Sequence, residues 1–239
     1  MSRWYVLLDA PQSDLVQVKR LFPNSGFIFE EIDGKGALSA PQFEQCKDRS
    51  DVIDAGMTLL SSINVALRLS VFQYNGLLFH GLVEKRSDGT LHRTMLASSA
   101  IFGVSGVAAV GIGGSIGRPL RTKEERLLSL LAKSPEMTDL AIAMTARPLT
   151  WGSMNLVYES AKGLMSAKAS NEAKRADYGA LIDRGWITAD QSLSFYKSAA
   201  YHRHGYPKID KNLPRMEYDE ASILISKLFW HLVDAMEPL

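Results

Sequence analysis

The chain is short of the residues that staple or specialise a protein. Cys46 is the one cysteine in 239 residues, so no disulfide can close within the chain and a reducing compartment is expected. Charge of either sign is barely in excess: 27 Lys and Arg stand against 26 Asp and Glu, a net charge of +1. That balance excludes a global nucleic-acid field, so any anion site has to be local. The apolar run near the start ends at Asp9, too soon for the core of a signal peptide, and a cytoplasmic location is the expectation. The remaining composition, 46% hydrophobic and 22% charged, is that of a folded globular chain long enough to bury a core unaided.

A second absence is local. From Thr94 to Gly117 no charged residue occurs, and Gly103, Gly106, Gly111, Gly113, Gly114 and Gly117 punctuate the run. Apolar runs of about 20 residues are candidates for a membrane span, and Gly113 to Gly117 has the small-xxx-small spacing that lets membrane helices approach. The β-branched Ile101, Val104, Val107, Val110 and Ile112 suit a pair of buried strands with glycine turns equally well. Two motif matches here want context. Gly113-Gly114-Ser115-Ile116-Gly117 fits G-x-S-x-G, but Arg118-Pro119 stands where the helix of a nucleophile elbow should begin. Around Gly111-Ile112-Gly113 a dinucleotide loop would need a third glycine where Ile116 stands, and a Walker lysine is missing too.

Read in order, the first half alternates strand and helix signals. Trp4 to Leu8 suits a strand stopped at Asp9-Ala10-Pro11, and Ser13 to Phe22 an amphipathic helix with Leu15, Val18, Leu21 and Phe22 inward. Gly26 to Glu30 suits a second strand ended by the turn Asp33-Gly34-Lys35-Gly36, and a short helix or turn follows around Pro41 to Lys47. Between Asp51 and Leu69 the apolar positions Ile53, Met57, Leu60, Ile63, Ala66 and Leu67 recur at helical spacing. Ser70 to Glu84 and Leu91 to Leu96 flank Ser87-Asp88-Gly89-Thr90, a hairpin signal.

The second half is written as helices. Thr122-Lys123-Glu124-Glu125 and Thr188-Ala189-Asp190-Gln191 are capping boxes, and Ser134-Pro135-Glu136 puts a cap residue before proline at the first helical position. Helices are expected over Lys123 to Lys133, Pro135 to Thr145, Trp151 to Met165, Ala176 to Asp183, Ala189 to His204 and Glu217 to Met236. Trp151, Met154, Val157, Tyr158, Ala161 and Met165 form one stripe with an aromatic shoulder, and Ala221 to Met236 repeats the pattern. Ile223 and Trp230 fall on the opposite face of the last helix, which implies a second contact surface. The fold class is therefore α+β: a small strand-containing domain over 1–117, a junction at Arg118 to Arg121, and an all-α helical bundle over 122–239.

One cluster stands out. The helix from Ala189 closes in Tyr201-His202-Arg203-His204, with Gly205 and Pro207 beyond. Cations at a helix C-terminus followed by glycine satisfy dipole and capping rules by themselves. They can also make an anion site, in which histidine moves protons while Lys197 or Arg203 holds a phosphate. Lys197 and His204 share one side of the helix whereas His202 and His204 diverge, and no acidic or cysteine companion stands at ligand spacing, so no metal is called for.

Trp151 with Leu156-Val157-Tyr158-Glu159, the helix carrying Ala199-Ala200-Tyr201-His202-Arg203-His204-Gly205, and Tyr218-Asp219-Glu220-Ala221 opening a final apolar helix resemble, in that order, the helical half of a group of bacterial proteins. The same stretch, Thr122 to Leu239, is distantly similar to HEPN domains, helical bundles that often dimerise and often act as metal-independent ribonucleases in toxin and phage-defence systems. HEPN nucleases carry arginine, four to six residues, then histidine; here the slot opens with Lys197 in place of arginine and leads to His202 or His204. The resemblance implies a ribonuclease effector without cofactor, with His202 or His204 as general base on a ribose 2′-hydroxyl, Lys197 and Arg203 stabilising the phosphorane, and a homodimer completing the site. Two other readings come from the residues: a non-catalytic binding or sensor module acting through protein partners, and a membrane-acting effector inserting 94–117.

Overall fold

The structure, a computed structural model, describes residues 3–71, 74–95, 121–145, 148–167, 179–204 and 215–237. Within it the chain divides into two compact units, Met1–Thr138 and Asp139–Pro238. The α+β class expected from the sequence is what is found. The charge-free segment past Met95, its two glycine motifs and the junction up to Leu120 lie outside the described residues.

The first unit is built on a five-stranded antiparallel sheet of order β2-β3-β1-β4-β5, with β1 Arg3–Asp9, β2 Ile28–Ile32, β3 Lys35–Ser39, β4 Leu78–Lys85 and β5 Leu91–Met95. The strand at Lys35–Ser39 is not among those the sequence predicts, because Lys-Gly-Ala carries no β-branched signal. Asp33 and Gly34 both take positive φ, 55° and 74°, the backbone that a two-residue hairpin turn requires. Gly36 is also needed by its neighbour: a Cβ there would sit 2.7 Å from Leu15 Cδ1, so helix α1 (Gln12–Leu21) packs directly on the strand.

The long helix α2 (Arg49–Ser70) lies on the same sheet. Its buried stripe runs through Val52, Gly56, Leu59, Ile63 and Ala66, with Ile53 and Met57 at the margin. The stripe centres on Gly56, where a Cβ would come within 2.6 Å of Val6 Cγ2, so helix and strand meet at their closest where a side chain is missing. Val6, Leu8, Leu38 and Leu82 are buried on this face, while Tyr5, Leu7, Ile32, Ala37 and Val83 form a cluster on the other. Arg93 Nη2 of β5 pairs with Asp33 Oδ2 of the β2–β3 turn at 2.5 Å. Those strands are opposite edges of the sheet, about 19 Å apart if it were flat, so the sheet curls and brings its edges together.

Among the described residues α2 is the one helix long and apolar enough to cross a membrane, and half of its apolar window is buried inside the protein. Helix α3 (Lys123–Leu131) packs on α2, and its capping box is formed: Thr122 Oγ1 accepts from Glu125 N at 3.1 Å, and Glu125 Oε2 from Thr122 N at 3.1 Å. The sequence places the opening of the second domain at Thr122. In the structure Thr122 Oγ1 donates to Leu21 O at 2.7 Å, Glu125 Oε1 accepts from Asn24 N at 2.5 Å, and the division falls after Thr138, inside α4 (Pro135–Met144). Leu127, Leu128, Leu130 and Leu131 are all buried, as expected of a helix surrounded by core rather than lying on a surface.

The second unit is a helical bundle with α5 (Trp151–Ala167) against α6 (Gly179–Asp183), α7 (Ala189–His204) and α8 (Tyr218–Met236). Thr188 and Gln191 exchange the expected capping hydrogen bonds at 3.1 and 2.9 Å. Met154, Val157, Tyr158, Ala161 and Met165 of α5 and Ala221, Leu224, Ile225, Leu228, Phe229 and Leu232 of α8 are buried, on the stripes the spacing predicts. Ile223 stays 57% exposed, while Trp230 is half-buried with its ring edge-on to Phe229.

Candidate functional site

The inward stripe of α7 is Ser192, Phe195, Ser198 and Ala199, all buried. Seven residues after Phe195, helical spacing returns His202 to that side, and so it reaches the start of α5. There the imidazole lies flat on the Trp151 indole, centroids 4.7 Å apart and planes 6° apart. Tyr201 stands edge-on to His202 at 5.2 Å, Phe195 and Tyr218 flank Trp151 at 6.1 and 6.4 Å, and Tyr158 packs on Phe195 at 4.8 Å. Arg215 closes the group from the strand of chain leading into α8, its Cζ 4.1 Å from the centre of the Tyr201 ring. Such a cation over an aromatic face is attracted by the ring quadrupole.

Polar bonds under the rings hold them in place. Tyr158 OH and Ser192 Oγ lie 2.6 Å apart in the core, Ser198 Oγ accepts from Met216 N at 2.8 Å, and Tyr218 OH donates to Leu149 O at 2.7 Å. Lys162, buried, reaches Glu159 Oε2 at 2.9 Å and stands 5.6 Å from the Tyr158 ring centre. With Trp151 gripping one ring face, the exposure of His202 is on the other face and the edges.

The four residues singled out from the sequence fare differently. His202 is drawn into the aromatic group. Lys197 is half-buried on the same helix, but five residues turn a helix through about 500°, which leaves it roughly 140° around the axis from His202. Those two do not converge on one phosphate within one helix. Position 204 returns to the side of Lys197, and the side chains of Arg203 and His204 lie outside the described ones. The sequence marks Trp151 as the aromatic shoulder of a core helix and assigns Tyr201, Arg215 and Tyr218 no role in the site; extending the Ser192, Phe195, Ala199 stripe by one turn points His202 at α5.

The sequence carries no signal for a second pair of the same kind. Trp186, after α6, stacks on His231 of α8 with centroids 5.4 Å apart and planes 13° apart, and Arg184 Cζ lies 5.6 Å from the Trp186 ring centre.

Comparison with family models, with curated proteins and with solved structures finds no match. The chemistry must therefore be read from the side chains. Among the described residues no three His, Cys, Asp or Glu gather closely enough to hold a metal ion. Cys46 is no ready nucleophile: burial first, then the Asp51 and Asp48 carboxylates, push its thiol pKa up, which favours the unreactive thiol. What the aromatic end of the second unit offers is an open ring face with a cation beside it.

Proposed function

We propose that the second unit is a HEPN-like module that binds single-stranded RNA at the aromatic end of α7. The observation that carries this reading is the Trp151–His202 stack, which ends in an exposed imidazole with Tyr201 and Arg215 alongside. An unpaired base continues such a stack, and the guanidinium meets the phosphate that follows. Base stacking on a ring contributes about 1–3 kcal/mol per base and tolerates any sequence, because every base has a flat face. The near-zero net charge fits a local contact of this kind rather than a long basic track.

The test is fluorescence anisotropy with a short labelled single-stranded RNA and its duplex form, across a salt series. Tyr201→Ala and Arg215→Ala should each weaken the single strand by about tenfold or more, with the Arg215 variant also lowering the salt slope by about one. Equal affinity for the duplex, or variants that bind like the parent, would refute the reading.

A second reading adds cleavage. It is favoured by the backbone of α7, which brings position 204 to the side of Lys197, the HEPN-like spacing of a cation and a histidine. Here His204 or His202 takes the 2′-hydroxyl proton and the cations steady the phosphorane, with the half-site of a second copy supplying what one helix cannot. Incubation with total RNA in EDTA separates the two: His204→Ala should abolish cutting at unchanged melting temperature, and an uncut substrate with the parent protein leaves binding alone.

A further inference from the structure

At one end of the sheet in the first unit lies an open cleft of ≈ 700 Å³, within the size range of small-molecule sites. It straddles the beginning of β1. Arg3 pairs across with Lys85 and Trp4 with Glu84, and alternation along the strand sends Arg3 and Tyr5 to one face and Trp4 to the other. Three cations line the cleft, Arg3, Lys85 and Arg86, against two carboxylates, Glu30 and Glu44. One of those carboxylates is spoken for: Glu30 Oε1 accepts from Tyr5 OH at 2.8 Å and Oε2 from Lys85 Nζ at 3.0 Å. That three-residue unit ties β2, β1 and β4 together and neutralises Lys85. Arg3 and Arg86 are both exposed, and Arg3 also interacts with the Tyr5 hydroxyl and Glu30. The aromatic share of the lining is large for so small a site: half-buried Trp4, buried Phe43 and the Tyr5 ring all border it, Trp4 from the opposite face of the strand to Tyr5.

From this arrangement we infer a binding site for a small ring-bearing anion that reaches around the start of β1, with its ring on the Trp4 and Phe43 side and its anionic group among Arg3 and Arg86. The Tyr5–Glu30–Lys85 unit sets the polar wall beside Arg3, whose charge also acts on Glu30, so a bound anion shares Arg3 with that carboxylate and Arg86 supplies the second cation. A phosphate monoester on a nucleoside and an aromatic carboxylate share this chemistry. This site is independent of the RNA reading, which concerns the other unit.

Isothermal titration of the full chain with uridine 5′-monophosphate, phenylacetate, uridine and inorganic phosphate tests it. At least one of the two ring-bearing anions is expected to bind saturably, with uridine and inorganic phosphate about tenfold weaker or more, since each keeps only half of the contacts. Whichever anion binds identifies the source. Arg3→Gln, which keeps a hydrogen-bond donor beside Tyr5, should weaken binding about tenfold; Glu44→Gln should tighten it, and Tyr201→Ala should leave it unchanged. The inference is overturned by an absence of saturable binding to both anions, by Arg3→Gln binding like the parent, by uridine binding as well as its monophosphate, or by loss of binding in Tyr201→Ala, which would move the site to the second unit.

Discussion

The two units bury charge in opposite ways. Among the described residues the first buries three acids, Asp14, Glu124 and Glu125, and the second one base, Lys162. Asp14 Oδ2 accepts from Asn75 N at 3.0 Å and Gly76 N at 3.2 Å, and Glu125 from Asn24 N and Thr122 N. An anion out of water is satisfied by backbone amides, which any loop can turn toward it. Lys162 has a carboxylate on one side and the Tyr158 ring on the other, while Arg184 and Arg215 also lie over rings. A cation is held by aromatic faces, which are scarce and set by packing. Asp14 and Glu125 thus fix loops in the first unit, whereas Lys162, Arg184 and Arg215 in the second lie against ring faces.

If that contrast is right, removing an acid should cost the most. Asp14→Ala strands two amides that fix the loop before β4, and should lower stability by about 3 kcal/mol, read as a drop in the urea midpoint of the first unit's transition. A loss below about 1 kcal/mol would mean that water replaces the carboxylate and the loop needs no anchor.

The second unit should respond less to losing one polar partner. Tyr158→Phe removes the hydroxyl that meets Ser192 in the core but keeps the ring under Phe195 and Lys162, so about 1–2 kcal/mol is expected. Denaturant melts of Tyr158→Phe, Ser192→Ala and the double variant measure the coupling; additive single effects would show that the rings, not the hydroxyl pair, hold α5 to α7.

The smallest effect concerns acid. The Tyr5 hydroxyl first, and Lys85 next, hold the Glu30 carboxyl below its usual 4.5. A carboxylate lowered in the folded state contributes stability above its unfolded value and loses it as pH falls through the folded one. Stability of the parent should therefore decline below about pH 4.5, and Glu30→Gln should flatten that decline. Parallel curves for the two proteins would show that Glu30 titrates alike folded and unfolded.

Much of the helical part of the chain, from Thr122 onward, is legible in the order of its residues. Thr188 with Gln191, Ser134 before Pro135, and Thr122 with Glu125 each mark a helix start, and each forms its hydrogen bond, because a cap reaches only three residues along the chain. The stripes of α5 and α8 are equally plain, since 3.6-residue spacing writes burial into the pattern of apolar positions. Less can be read in the first unit. Lys35–Ser39 becomes a strand through its pairing with Ile28–Ile32 across the turn and with Leu8, Leu7 and Val6 about thirty positions away, and Gly36 and Gly56 look like weakness where they are points of contact.

The candidate site divides the same way. That a helix ends in cations near His202, that the chain is α+β and that no disulfide braces it all follow from local capping, periodicity and composition, which act over a few residues at a time. Packing alone settled that α3 joins the sheet's core, that Trp151 grips His202, and that Arg3, Trp4 and Glu30 line one cleft. Those outcomes depend on which surfaces meet across long loops, and burying rings and apolar stripes against one another is a property of the assembled pair rather than of either segment.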